Sequence, residues 1–155
     1  MIPERLAALA AVVALALAVA AVVRRRRPDA PTRAGHRVPM QVDRGDFASP
    51  DLPWLVAVFT SATCSTCADV AAKAGVLASQ EVAVDIIEWS VARDRHDRYG
   101  IEAVPLVVVA DAAGIVRAAF VGPVSAQDLW SAVAECREPG STPGADGCTG
   151  TARVV

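Results

Sequence analysis

Thr60-Ser61-Ala62-Thr63-Cys64-Ser65-Thr66-Cys67 is the stretch on which the fold turns. It follows Leu52–Thr60, whose continuous apolar character is that of a strand covered on both faces. It precedes residues 65–79, rich in helix formers, with Val76 and Leu77 supplying part of an apolar face. A strand-to-helix junction of this kind sets Cys64 at a helix N-terminus. Unpaired backbone N–H groups and the positive end of the helix dipole there favour a thiolate, with a pKa below the free value of about 8.5. Cys67 lies one turn on and on the same face, with Cβ atoms about 5–6 Å apart. A small local adjustment closes a disulfide. The pair can therefore exchange disulfides: Cys64 attacks, and Cys67 resolves the mixed disulfide. Zinc sites use the same C-x-x-C spacing, so the dithiol alone leaves both chemistries open.

Working outward, Glu81–Trp89 predicts a second buried strand and Ala92–Tyr99 a short charged helix. Pro105–Ala110 predicts a third strand, and Asp111–Gly114 a turn into a hairpin partner over Ile115–Val121. Ser125 is an N-cap for a final helix to about Glu135, with Asp128 as the acidic half of the capping pair. Upstream, Val38–Val42 predicts a first strand and Asp46–Ser49 one helical turn. The order is strand–helix–strand–helix–strand–strand–helix. Two parallel crossovers, a hairpin and a closing helix give an α/β fold, a mixed sheet with helices on both faces.

Tyr99-Gly100-Ile101-Glu102-Ala103-Val104-Pro105 resembles the segment before the cis-proline of the thioredoxin family, and Gly122 ahead of a last helix fits the same pattern. The resemblance covers about residues 38–135. It implies that Cys64 is the attacking and Cys67 the resolving cysteine. It also implies that Val104 and Pro105, joined by a cis bond, form a backbone platform for a substrate strand. No cofactor and no metal are expected, and a cis-proline beside the dithiol would obstruct a zinc ion. The implied activity is thiol–disulfide oxidoreduction, with protein disulfides reduced by a monomer. The competing reading is a redox-idle module of the same fold that binds a partner through the Pro105 face. Two positions depart from the family: Thr63 stands where Trp is usual before the first cysteine, and Val58 where a buried acid commonly helps move protons.

The rest of the chain is read from composition. Leu6–Val23 is a run of 18 apolar residues, nine of them Ala. As a helix it would reach about 27 Å, enough to cross a bilayer. Glu4 offsets Arg5 in front, whereas Arg24–Arg27 follow behind, so a retained anchor with a cytoplasmic C-terminal side is expected. Residues 1–38 hold seven Arg against Glu4 and Asp29, a balance of +5, and residues 39–155 hold eight basic against fifteen acidic side chains. The folded part is acidic, which argues against nucleic acid as a partner, and membrane lipid is the expected partner of the N-terminal helix. Residues 1–37 are thus expected as anchor and linker, 38–136 as the domain and 137–155 as a flexible tail. Cys136 and Cys148 are read as incidental thiols that stay reduced, against a second exchangeable pair or a relay in which Cys148 reaches the dithiol. His36 is placed in the linker and His96 on a solvated helix, so neither serves a Cys–His hydrolase.

Overall fold

A computed structural model describes residues 37–141 and the backbone of Arg153–Val154. Leu6–Val23, its arginine flank, His36 and Cys148 lie outside the described residues. Among the described residues no helix is long and apolar enough to cross a membrane.

The first central strand, β1 (Trp54–Thr60), is buried along nearly its whole length, as its unbroken apolar run requires. The chain continues through α1 (Cys67–Gly75), β2 (Val82–Glu88), α2 (Arg93–Arg98), β3 (Leu106–Ala110), β4 (Val116–Val121) and α3 (Ala126–Arg137). A two-residue strand, β5 (Arg153–Val154), pairs in parallel with β4 at Ala118 and Ala119. The sheet order is β2-β1-β3-β4-β5.

The expected element order holds, but only one of the two crossovers is parallel. β1 runs parallel to β2, with Thr60 opposite Glu88, and antiparallel to β3, with Phe59 opposite Leu106. The chain leaving β2 at Glu88 passes through α2 and re-enters the sheet at the end where β1 and β2 stop. β3 consequently starts beside the end of β1, where the dithiol loop begins.

The sheet buries both faces. On one, Leu55, Ala57, Phe59, Ile87, Leu106 and Val108 pack against Phe47 and Ile101. On the other, Val56, Val58, Val107 and Val109 pack against Val70 and Ala74 of α1 and Leu129 and Val133 of α3. Each fully buried side chain of this size contributes about 1.5–3 kcal/mol, which makes the sheet a firm base for its loops. Ser125 caps α3 as expected: its Oγ accepts the Asp128 N–H at 3.1 Å and donates to the Asp128 carboxylate at 2.5 Å.

Three local expectations change. Val38–Val42 is no strand. It forms one bridge, Gln41 to Ile115, because Pro39 has no N–H and only Met40 and Val42 reach the hairpin. The early helical turn is a 3₁₀ turn at Arg44–Asp46, capped by Asp43. α1 is shorter than residues 65–79, with its N-cap at Thr66 and its end at Gly75.

Candidate active site

Cys64 and Cys67 are joined in a disulfide with Cα atoms 5.5 Å apart. Because α1 begins at Cys67, Cys64 sits in the turn ahead of the helix. Its N–H donates to the Ser61 carbonyl at 3.1 Å, and its Sγ lies 3.7 Å from Thr66 Oγ1. The two cysteines differ in burial. Cys64 is half-buried, whereas Cys67 is 3 % exposed beneath the first turn of α1. That asymmetry suits one thiol that meets a substrate and one that meets only its neighbour.

Val104-Pro105 is a cis peptide bond. Pro105 immediately precedes Leu106, and Leu106 pairs with Phe59, so the bond lies at the sheet end that carries the dithiol loop. The Pro105 carbonyl accepts the Gly122 N–H at 2.8 Å, which ties this loop to the end of β4. Val104 is half-buried and packs on the core. All four residues singled out from the sequence thus gather at one end of the sheet.

Beneath α1 the floor is apolar. Val58 is fully buried and packs in one apolar cluster with Val70 and Ala74.

His96 is a correction. It is 1 % exposed, not solvated. Its ring stands edge-on to Phe59 and to Trp89, with centroids 5.1 Å away in both cases, and its Nε2 donates to the Ile87 carbonyl at 3.1 Å. Ala92, His96 and Tyr99 recur at helical spacing and face the core, a stripe masked by the five charged residues around His96. His96 also borders a cavity of about 250 Å³ that opens between Ser61, Trp89, Ala103 and Val104, beside the dithiol loop. Cys136 is a second correction. It is 6 % exposed on the core face of α3 and is disulfide-bonded, not a free thiol. Its helix runs to Arg137, two residues past the expected end, which holds Cys136 within the packed face.

Among the described residues no group of His, Cys, Asp or Glu could hold a metal ion. A mixed sheet in this order, a Cys-x-x-Cys disulfide ahead of a covering helix and a cis-proline at the facing strand define a thioredoxin-like α/β fold. No family model matches the chain, and no curated protein is similar to it in sequence. Among solved structures, a single-substitution variant of thioredoxin from Halobacterium salinarum NRC-1 is similar at 26 % identity and a TM-score of 0.46. That match covers 52 % of this chain and 71 % of the other. The NTD_N/C domain of alkylhydroperoxide reductase AhpF from Enterococcus faecalis is similar at 25 % identity and a TM-score of 0.44, over 52 % of this chain and 42 % of that one.

Proposed function

We propose that this chain is a thiol–disulfide oxidoreductase, tethered to a membrane by Leu6–Val23, that reduces protein disulfides on the cytoplasmic side. The observation that carries the redox reading is the Cys64–Cys67 disulfide, with one half-buried and one buried cysteine, at the sheet end that also holds cis-Pro105. In the reduced protein the Cys64 thiolate attacks one sulfur of a substrate disulfide. A Cys64–substrate disulfide forms and one substrate thiolate leaves. Cys67, having lost its proton, attacks Cys64 Sγ and expels the second substrate thiolate. Two electrons pass to the substrate, and the Cys64–Cys67 disulfide is what remains. Val104 and Pro105 offer backbone against which an extended substrate segment aligns its disulfide with Cys64. With Val58 under the helix, the Cys67 proton leaves to water or to the departing substrate thiolate. A cytoplasmic thiol pool then restores the dithiol.

The membrane part of the proposal is supported by the length of the apolar run and by four arginines on one flank. The whole is tested by turnover of a small protein disulfide by the full chain with an excess of reduced thiol. Wild type is expected to turn over, Cys64→Ser to lose turnover, and Cys67→Ser to accumulate a mixed disulfide at Cys64. Turnover that survives Cys64→Ser would refute the assignment.

A further inference from the structure

Glu88 is the last residue of β2 and stands opposite Thr60, the last residue of β1. From there its carboxylate reaches in two directions. Oε2 accepts the Ser90 N–H at 2.8 Å, the Ser90 hydroxyl at 2.5 Å and the Val91 N–H at 3.2 Å. Those contacts close the local turn between β2 and α2. Oε1 accepts the Ala62 N–H at 3.0 Å, from a residue 26 positions earlier in the chain. The local turn has no use for that fourth contact.

Ala62 N–H and Ser61 C=O belong to one planar peptide unit and cannot rotate independently. The N–H end is held by Glu88, and the C=O end accepts the Cys64 N–H at 3.1 Å. We infer that Glu88 is a positioning residue for the attacking cysteine: by pinning the Ser61–Ala62 peptide it fixes the acceptor on which the Cys64 backbone hangs. This inference rests on the oxidoreductase reading above. Thr60 ties the start of the loop to β2, its carbonyl accepting the Trp89 N–H at 3.0 Å and its Oγ1 donating to the Ile87 carbonyl at 3.4 Å, but past it Ser61 Oγ bonds only within the loop, to Thr63 Oγ1 at 3.1 Å and the Thr63 N–H at 3.4 Å. The Ser90 hydroxyl, ahead of the opposing effect of burial, and the three backbone N–H groups hold the Glu88 carboxyl below the usual carboxylate range. The clamp is therefore formed at neutral pH.

Two substitutions separate this role from simple turn closure. Glu88→Asp keeps the charge and, as an Asx-type cap, still reaches Ser90 and Val91, but is one methylene too short for Ala62. Glu88→Ala loses both ends. In the reduced full chain at neutral pH, alkylation of Cys64 followed by mass mapping is expected to slow about fivefold in both variants, the effect of one lost hydrogen bond. The thermal midpoint should fall for Glu88→Ala and stay near wild type for Glu88→Asp. Glu88→Asp alkylating at the wild-type rate overturns the inference, whatever Glu88→Ala does. Alkylation needs no substrate turnover, so this result is separate from the turnover of wild type, which tests the oxidoreductase reading itself.

Discussion

Gly114 closes the turn between β3 and β4 at φ +76°, and a Cβ there would come within 1.9 Å of the Val42 carbonyl oxygen. Backbone on backbone leaves nothing flexible to give way. Gly114→Ala is expected to cost about 1–3 kcal/mol from the left-handed conformation, and more from the collision. The denaturant midpoint at unchanged m-value checks this, and an unchanged midpoint would contradict it. The Asp111–Gly114 turn was legible from residue type alone, because Asp and Gly are what such a turn needs. The approach of Val42 was not, since it depends on an N-terminal segment with no strand periodicity. The same contrast runs through the site. Cys64, Cys67, Val104 and Pro105 announce themselves by spacing and order. Glu88 does not, because its role follows from the register that sets it opposite Thr60. His96 carried a readable signal, its spacing with Ala92 and Tyr99, but the charges around it argued for solvent.

At the scale of elements, α2 is held to the 3₁₀ turn by a polar network on the rim of the core. Tyr99 OH donates to Asp46 Oδ2 at 2.5 Å and accepts the Asp43 N–H at 3.1 Å. Arg98 pairs with Asp46 at 2.8 Å, and Arg95 Nη1 donates to the Asp46 carbonyl at 3.1 Å. Burial, and then the hydrogen bond to Asp46, push the Tyr99 hydroxyl up to about 12. An unfolded tyrosine titrates near 10. The folded value is the higher one, so this contribution to stability is complete below about pH 10 and is lost as pH rises through about 12. Tyr99 is the chain's sole tyrosine. Its absorbance titration should therefore show a midpoint near 12 in the folded protein, and a midpoint near 10 would contradict the network. Element order and the capping of α3 were readable from periodicity and capping chemistry. The antiparallel entry of β3 was not readable, because the 17 residues between Glu88 and Leu106 are long enough for either direction. The ends of α1 had a weaker one, as Gly75 interrupts a run of good helix formers.

For the whole molecule, Arg24–Arg27 behind the apolar run set the expected orientation. Fusing a C-terminal reporter active only inside the cytoplasm should give signal, and one active only outside should be silent; the reverse result would overturn the orientation. The disulfide at Cys136 pulls against that orientation, because a reducing compartment keeps such thiols reduced, so its redox state in the cell is a second readout. Orientation also decides what the dithiol must do. A cytoplasmic reductant has to hold its electrons at a potential that the local thiol pool can restore, yet one low enough to reduce substrates. The most direct measurement is the reduction potential of the Cys64–Cys67 couple, equilibrated against glutathione or dithiothreitol buffers and read by quenched alkylation. The account predicts a reducing couple, about −270 to −200 mV, in the range of thioredoxins and glutaredoxins. A value near about −120 mV, typical of strong thiol oxidants, or a pair that stays locked in one state across all buffers, would contradict it.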